Sequence, residues 1–567
     1  MSNVHHTTCQ AGLRDVGVDA RAERAQSGIQ GVPTSGIADK LNHHLFEIED
    51  RKPRDTRGSM SNCQSMDMDD DACYRAIETR DRRFDGRLFV AVTSTGIYCR
   101  PFCPAPTPKR KNARFFTTAA AAQEAGFRPC LRCRPETSPE LAFWQGGSNT
   151  VSRALGLIEA GALDGANVEA LATRLGLGER QLRRLFRQHL GASPISIAQT
   201  RRILLAKQLI QDTRLPMIEV AAAAGFGSTR RFNEIFQQLY KRPPKALRRA
   251  GVAQESVGTT GAVAVKLGYR PPYDWEAVLS FLRARAIPGV EVVASGRYAR
   301  TIAMGDERGV LVVEPAPGNC LKATVRFPNL KNLPAIIARV RRVFDLAADP
   351  LAIGAHLGQD PVLAPLVAAR PGLRVPGAWD GFELAVRAIL GQQITVPAAT
   401  RLAGKLASTY GEKIADSAAL DQGLTHVFPT PRRLVGVDLA AIGMPRVRQM
   451  ALSALAAAVV ADPLIFGLRR SLEEAIAQLR SLAGVGEWTA QYIAMRELRE
   501  PDAFPAADIG LMRAMRNRRG VRPSPAELLA RAERWRPWRA YAALHLWASE
   551  AQASPTLEKV LDHPQAA

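Results

Sequence analysis

Hydrophobic residues between positions 150 and 250 recur at helical spacing, and the pattern occurs twice, offset by fifty residues. In each copy a short apolar helix is predicted to end at a glycine, Gly176 or Gly225, before a second helix with basic and polar residues on its open face. This arrangement predicts a tandem helix-turn-helix domain over residues 148–250. The matching positions are Leu182, Leu185, Phe186, Gln188 and Pro194 in the first copy and Phe232, Ile235, Phe236, Gln238 and Pro244 in the second.

Arginines lie on or beside the second helix of each copy. A solvated basic helix face explains any one of them, but two such faces about one DNA turn apart favour binding to duplex DNA. The candidate DNA contacts are Arg180, Arg183 and Arg184 in the first copy and Arg230 and Arg231 in the second.

The pattern changes beyond residue 262, where short runs of β-branched and other apolar residues surround a predicted helix at 275–285. These runs indicate an α+β domain over residues 263–372. From Phe382 onward apolar residues return at helical spacing, which predicts an all-α domain over residues 373–555. The chain is therefore predicted to be multidomain and mainly α with α+β parts. The predicted strands cover 263–267, 290–294, 310–314 and 323–327.

Three segments are predicted to lie outside these domains. Residues 1–70 are predicted to form a disordered extension, residues 251–262 a linker and residues 556–567 a tail. The longest apolar stretch, 450–461, is far shorter than the ~20 residues that a membrane-spanning helix needs. The amino terminus has no apolar signal core, so we expect a cytoplasmic protein without a membrane partner.

The charge of the chain points to a polyanionic partner. Its 567 residues include 76 Lys and Arg against 54 Asp and Glu, a formal net charge of +22. Nucleic acid is the leading candidate, and an anionic membrane surface is the alternative. With only eight cysteines in this length, a disulfide framework is not expected.

Four of the cysteines form two close pairs within residues 71–137, Cys99 with Cys103 and Cys130 with Cys133. Two thiol pairs separated by a loop-sized segment can place four thiolates tetrahedrally around one Zn²⁺ ion. The sequence therefore predicts one zinc per chain. A purely structural site is the simpler interpretation of this spacing.

A second motif lies near the carboxyl terminus. Gly484 and Gly486 permit a tight hairpin whose amides can approach a phosphate, which predicts a helix-hairpin-helix. Trp488 and Tyr492 are four residues apart on the following helix and share a face. Asp508 is predicted to begin another helix, where exposed amides favour its charged form.

Core packing explains any one of these aromatic residues, and helix capping explains Asp508 alone. Together with Trp547 on a third helix, they match what base excision requires. A base swung out of the duplex is held by stacking, while the positive charge that develops on the sugar needs a nearby carboxylate.

Two family resemblances cover nearly all of the chain beyond residue 70. Residues 73–250 resemble the amino-terminal half of the Ada adaptive-response proteins, through GIYCRPFC at 96–103 and GFRPCLRC at 126–133. Residues 263–552 resemble the AlkA type of 3-methyladenine DNA glycosylase II, within the helix-hairpin-helix GPD superfamily. The motifs of this second resemblance are RPPYDW at 270–275, VRAILGQ at 386–392 and WRPWR at 535–539.

The Ada resemblance implies a zinc module that repairs methyl phosphotriesters in DNA, followed by an AraC-type helix-turn-helix domain. It implies that Cys99 accepts the methyl group and also binds zinc, with Cys103, Cys130 and Cys133 as the other ligands. Methylation would then activate binding to promoter DNA, with RNA polymerase as a further candidate partner and the bacterial nucleoid as the place of action.

The AlkA resemblance implies hydrolytic excision of 3-methyladenine and related alkylated bases from double-stranded DNA, with Asp508 as the catalytic carboxylate. The residues implied for the pocket of the flipped base are Phe281, Trp488, Tyr492 and Trp547.

Further implications concern the DNA-contacting loops of the AlkA-like half. Gly484 and Gly486 would grip the DNA, and the carbonyls of Arg480, Leu482 and Val485 would hold a monovalent cation. Gln393 stands where the family places an apolar wedge in the duplex.

Two activities of related proteins are not expected here. Trp488 occupies the position where related lyases carry a lysine, which implies a monofunctional glycosylase. No PCHR block occurs, so the O6-methylguanine repair of a full Ada protein is not expected.

Two alternatives remain at the level of the sequence. In the first, the protein is a transcription regulator whose glycosylase-like half is not catalytic. In the second, the zinc is purely structural and base excision is the sole activity.

Overall fold

The computed structural model describes residues 69–139, 149–159, 161–248, 262–420, 422–467, 471–517 and 519–553. The predicted linker, except residue 262, and the predicted tail lie outside these residues, as does most of the predicted amino-terminal extension. Residue 70, the last of that extension, is helical rather than disordered. Asp69 caps the first helix there by accepting a hydrogen bond from Ala72 N over 2.6 Å.

The cysteine-rich module contains α1 (Asp70–Glu78), β1 (Phe89–Val92), β2 (Ile97–Cys99), β3 (Ala113–Phe116), α2 (Ala119–Glu124) and β4 (Arg128–Pro129). Its strands form one sheet in the order β3-β1-β2-β4. Tyr98 on β2 pairs with Pro129 on β4 in parallel register. The pairing brings the next residues, Cys99 and Cys130, to the same end of the sheet.

The next domain contains α3 (Asn149–Glu159), α4 (Val168–Arg174), α5 (Glu179–Leu190), α6 (Pro194–Asp212), α7 (Met217–Ala223) and α8 (Thr229–Tyr240). The helix pairs α4–α5 and α7–α8 confirm the predicted tandem helix-turn-helix. Gly176 and Gly225 lie in their turns with φ of +69° and +84°. Glycine adopts this left-handed region without the steric cost of a Cβ atom.

The α+β domain contains β5 (Ala262–Gly268), α9 (Trp275–Arg283), β6 (Glu291–Ala294), β7 (Arg297–Met304), β8 (Glu307–Ala316) and β9 (Cys320–Arg326). The strands form an antiparallel sheet in the order β5-β9-β8-β7-β6.

Strand β7 is absent from the predicted strands. Its Arg300 interrupts the apolar pattern, yet the side chain is buried. The guanidinium lies 2.7 Å from a carboxylate oxygen of Glu383 and 3.6 Å from one of Glu291. Because Glu383 is distant in sequence, the pattern along the chain could not show that this arginine is compensated.

Helices are the main elements of the remaining described chain, and those from Phe382 onward were predicted. None of the helices in the described ranges is both long and apolar enough to cross a bilayer. They are α10 (Leu333–Val343), α11 (Pro350–Leu357), α12 (Leu363–Ala369), α13 (Gly381–Leu390), α14 (Val396–Tyr410), α15 (Ser417–Leu420), α16 (Pro431–Leu434), α17 (Arg446–Ala461), α18 (Leu472–Arg480), α19 (Glu487–Arg496), α20 (Ile509–Ala514), α21 (Pro525–Ala532) and α22 (Arg539–Ala553).

The amino-terminal modules pack directly against the carboxyl-terminal ones. Phe236 on α8 and Val265 on β5 belong to one buried hydrophobic cluster. Arg153 on α3 pairs with Glu500, which follows α19, over 2.5 Å, and both side chains are buried. Because a buried ion pair needs close geometry to offset the loss of hydration, this contact fixes the position of α3 relative to the segment after α19.

Candidate functional sites

The four predicted metal ligands converge in the structure. One sulfur atom from each of Cys99, Cys103, Cys130 and Cys133 lies within 4.8 Å of the other three. Four thiolates at a Zn–S distance of about 2.3 Å lie roughly 3.8 Å apart in a tetrahedron. The 4.0 Å separation of the Cys103 and Cys130 sulfurs is close to this value, so the donor set fits zinc.

Neighbouring groups hold the cysteine cluster in place. The backbone N–H of Arg100 donates to the sulfur of Cys133 over 3.3 Å. Lys207, on α6 of the helix-turn-helix domain, donates to the carbonyl of Cys130 over 2.8 Å and contacts the carboxylate of Glu136. Burial lowers the pKa of Lys207, although Glu136 opposes this shift. Sequence analysis missed Lys207 because it is 77 residues from Cys130.

The five candidate DNA-binding arginines lie on the second helix of each helix-turn-helix. On α5, Arg180 and Arg184 are exposed, while Arg183 is half-buried and donates to Glu179 over 2.7 Å. On α8, the side chain of Arg230 is 90% exposed and Arg231 is half-buried. In this position both helices can present basic side chains to a groove of DNA.

Asp508 caps α20 and accepts hydrogen bonds from three donors. Its Oδ1 accepts from the backbone N–H of Leu511 over 3.0 Å and from Trp547 Nε1 over 2.8 Å. Its Oδ2 accepts from Trp488 Nε1 over 2.9 Å. All three donors are N–H groups, so the carboxylate acts only as an acceptor in this arrangement.

A cavity of about 490 Å³ opens beside Asp508, and Trp488, Tyr492 and Trp547 line it. The rings of Trp488 and Tyr492 stack with their centroids 5.2 Å apart and their planes 9° apart. Arg496 donates to the Tyr492 hydroxyl over 2.7 Å. Burial raises the pKa of Tyr492, but the nearby charges of Arg496 and Arg285 outweigh it and lower the pKa.

Phe281 does not join the other three predicted pocket residues at the cavity wall. Its ring lies 3.9 Å from the guanidinium carbon of Arg285 and 4.8 Å from that of Arg496. These cation–π contacts occupy the ring, so stacking of a base on Phe281 requires the arginines to move.

The predicted hairpin connects α18 to α19. Gly484 has a φ of +78°, and a Cβ added there would lie 2.5 Å from the Ala451 methyl carbon. Gly486 is the N-cap of α19, so the free amides of that helix start at the hairpin. The glycine spacing therefore serves both a tight turn and close packing.

Gln393 lies in an exposed turn with a φ of +58°, an uncommon conformation for a residue other than glycine. The adjacent residue, Gln392, anchors this turn on both sides. Its side chain donates to the carbonyl of Gly484 over 2.8 Å, and its own carbonyl accepts from Arg448 over 2.7 Å. The structure thus joins the Gln393 turn to the hairpin, a link that sequence analysis missed.

Gly510 also lines the cavity and was not among the candidate residues. A Cβ added there would lie 2.9 Å from Asp508 Oδ1 and 3.2 Å from Trp547 Cδ1. A glycine in the first turn of a helix, two residues after a candidate carboxylate, is the sequence signal that could have identified it.

Four protein families match successive parts of the chain. They are the metal binding domain of Ada at residues 72–136, a helix-turn-helix domain at 171–250, the AlkA N-terminal domain at 264–380 and the HhH-GPD superfamily of base excision DNA repair proteins at 386–540.

One relative matches most of the chain. It is the probable bifunctional transcriptional activator/DNA repair enzyme AlkA of Mycobacterium tuberculosis, 42% identical over 484 residues, with 85% of this chain and 97% of the relative covered. DNA-3-methyladenine glycosylase 2 of Escherichia coli is 38% identical over 50% of this chain and 96% of its own length. The bifunctional transcriptional activator/DNA repair enzyme Ada of Escherichia coli is 36% identical over 22% of this chain and 34% of its own length.

Solved structures also resemble parts of the chain. The 3-methyladenine DNA glycosylase from Archaeoglobus fulgidus has 22% sequence identity and a TM-score of 0.46, covering 51% of this chain and 99% of that one.

Proposed function

Because this chain belongs to the family of bifunctional transcriptional activators and DNA repair enzymes that join Ada-type and AlkA-type domains, we propose that it removes alkylation damage from DNA and regulates transcription in response to that damage. Its carboxyl-terminal half hydrolyses the glycosidic bond of 3-methyladenine and related alkylated bases. Its amino-terminal half transfers methyl groups from methyl phosphotriesters to Cys99 and binds promoter DNA.

The observation that carries the glycosylase proposal is the setting of Asp508. The carboxylate is held by the indole N–H groups of Trp488 and Trp547 at the edge of an aromatic cavity. Core packing alone does not require two tryptophans to donate to one carboxylate. Base excision requires both a stacking pocket and an anion at the reacting sugar.

The proposed reaction is hydrolysis. Alkylation at N3 or N7 gives the purine a positive charge, so the flipped base is attracted to the faces of Trp488 and Tyr492 and its glycosidic bond is weakened. When that bond breaks, its electron pair leaves with the base, which becomes neutral. Asp508 stabilises the positive charge on the sugar, and water adds to the sugar carbon and releases a proton.

The glycosylase is monofunctional in this proposal. A lyase needs an amine that attacks the sugar, whereas Trp488 carries no amine and its indole N–H donates to Asp508. We therefore expect base release without strand cleavage.

The hairpin and the Gln393 turn form the DNA grip of this half. The amides after Gly484 and Gly486 bind a backbone phosphate, and Gln393 occupies the gap left by the flipped base. A monovalent cation at the carbonyls of Arg480, Leu482 and Val485 would strengthen the phosphate contact.

In the amino-terminal half, Cys99 is the proposed methyl acceptor. Its sulfur attacks the methyl carbon, the carbon–oxygen bond breaks, and the phosphotriester becomes an ordinary phosphodiester. Cys99, Cys103, Cys130 and Cys133 would hold the zinc, which when bound would keep the Cys99 sulfur as a thiolate. We also propose that each chain binds one zinc ion and that the domains have the boundaries predicted from the sequence.

Methylation of Cys99 also supplies the regulatory signal. With zinc bound, the ion and the four thiolates would carry a net charge of −2, and methylation of Cys99 would reduce it to −1. At about 8 Å from a DNA phosphate and an effective dielectric of about 20, this change is worth roughly 2 kcal/mol. Reduced repulsion strengthens promoter binding by the tandem helix-turn-helix, and the bound protein then recruits RNA polymerase.

One experiment tests both halves of the proposal. The full chain is incubated with DNA carrying methylated bases and methyl phosphotriesters; free bases are measured, and methyl groups on the protein are located by mass spectrometry. We expect free 3-methyladenine and a methyl group on Cys99. Methyl transfer without base release would favour a regulator with a non-catalytic half, and base release without transfer would favour purely structural zinc.

A further inference from the structure

A small cleft of about 40 Å³ lies between the cysteine-rich module and the α+β domain. Five arginines and two aspartates line it, which is an unusual excess of positive charge for an internal boundary. This cleft is separate from the glycosylase cavity, with which it shares no lining residue.

Three of the five arginines have carboxylate partners. Arg100 donates to Asp85 over 2.7 Å, and Arg87 pairs with Asp349 across the boundary between the two domains. The third, Arg83, pairs with Asp81 over 2.6 Å. The other two, Arg82 and Arg270, have no carboxylate partner among the described residues.

Arg270 is a buried cation with no carboxylate within ion-pair distance among the described residues. The residue is only 4% exposed to solvent. Two guanidinium nitrogens donate to the carbonyls of Ala347 and Gly86 over 3.2 and 3.4 Å, and Nε has no hydrogen-bond partner. Burial, and secondarily the charge of Arg87, lower the pKa of Arg270 to about 9, although the charge of Asp85 opposes this shift. A buried cation in this state is costly unless an anion joins it.

Arg82 brings a second uncompensated charge to the same cleft. Its guanidinium carbon lies 4.5 Å from the ring centroid of Phe102, and that of Arg100 lies 4.6 Å from the same centroid. The ring of Phe102 thus contacts the guanidinium groups of both arginines, and Arg82 is exposed at the mouth of the cleft. An anion in the cleft would add a counterion for Arg82, which has none among the described residues.

We propose that this cleft is a phosphate-binding site shared by the cysteine-rich module and the α+β domain. Planar guanidinium groups match phosphate oxygens in geometry as well as charge. The phosphate comes either from free inorganic phosphate or from the backbone of DNA bound at the cysteine cluster, since the backbone N–H of Arg100 contacts a cluster sulfur.

Two variants and one control isolate the site. Asn319→Asp places a carboxylate in the cleft at a left-handed position, φ +55°, that aspartate tolerates as well as asparagine. Arg82→Gln removes one uncompensated charge from an exposed position. Asn329→Asp makes the same charge change elsewhere in the α+β domain, where the side chain caps Lys331 N and aspartate keeps that cap.

The first arm measures binding of radiolabelled inorganic phosphate to the full chain by equilibrium dialysis, at constant ionic strength. If free phosphate is the ligand, one saturable site per chain is present in the wild type and in Asn329→Asp. Binding is then at least tenfold weaker in Asn319→Asp and Arg82→Gln. Phosphate binding that all four proteins share belongs to another site.

The second arm measures the affinity of the full chain for duplex DNA across a salt series. If the backbone supplies the phosphate, the slope of log Kd against log salt falls by about one in Arg82→Gln and Asn319→Asp but not in Asn329→Asp. The proposal is overturned if the two cleft variants match the control in both arms. Because neither arm measures methyl transfer or base release, this result does not depend on the proposed function.

Discussion

The indole N–H of Trp547 donates a 2.8 Å hydrogen bond to Oδ1 of Asp508. These residues lie on different elements, the middle of α22 and the N-cap of α20, and Trp488 on α19 donates to the other carboxylate oxygen. Three helices therefore fix the orientation of one carboxylate. Pre-orientation of this kind lets a charge act on a transition state without rearrangement.

Asp508→Asn is expected to reduce release of 3-methyladenine by roughly 10²–10³-fold, because the amide keeps the shape but loses the charge. Binding to DNA that contains the damaged base should change little. Single-turnover base release and gel-shift affinity measure the two effects. Asp462→Asn, at a turn outside the cavity where the carboxylate accepts a hydrogen bond from Leu464 N, is the control. Excision near the wild-type rate would place the catalytic role on another group.

Gly510→Ala is expected to slow base release about tenfold or more. The added methyl group would lie 2.9 Å from Asp508 Oδ1 and so displace the carboxylate or Trp547. Stability should not fall in parallel, because alanine favours a helix over glycine by up to about 1 kcal/mol. Excision kinetics and thermal unfolding are compared with Gly354→Ala on α11, whose added methyl group meets Val367 at 3.3 Å. Unchanged kinetics would show that the Asp508–Trp547 contact tolerates the methyl group.

Lys207→Met should accelerate loss of zinc to a chelator by about tenfold or more, since outer groups that orient metal ligands affect affinity on this scale. The variant keeps the length of the side chain but loses the 2.8 Å hydrogen bond to the Cys130 carbonyl. Chelator competition with a zinc-sensitive dye gives the rate. Lys245→Met, at an exposed position, serves as the comparison. Equal rates for the two variants would exclude a role for Lys207 in holding the cluster.

His545→Gln should make the stability of the protein less sensitive to acid. Burial lowers the pKa of His545 to about 4 in the folded state, from about 6.5 when unfolded. Between these values the unfolded state binds the extra proton, so stability falls as the pH decreases. The wild type should lose about 2 kcal/mol more than the variant between pH 7 and pH 5. Denaturant unfolding at the two pH values measures the difference, and parallel pH profiles would contradict it.

The local features of this protein were predictable from its sequence. The cysteine spacing, the fifty-residue repeat and the Gly484–Gly486 hairpin each depend on neighbouring residues, because turns, helix faces and close ligand pairs form over a few positions. The four domain types followed from these patterns and from the resemblances that they support. The missed strand β7 shows the limit, since its buried Arg300 is compensated by Glu383 from a distant helix.

The tertiary structure decided which residues come together at each site. Sequence analysis placed Phe281 with the other aromatic residues, whereas in the structure its ring lies against Arg285 and Arg496 and is not among the residues that line the cavity. It also missed Lys207 beside the cysteine cluster and Arg270 in the charged cleft. The sequence by itself determined which chemical groups are present. Their partners come from segments far apart in the chain, so only packing decided which charges are paired and which rings are open to a base.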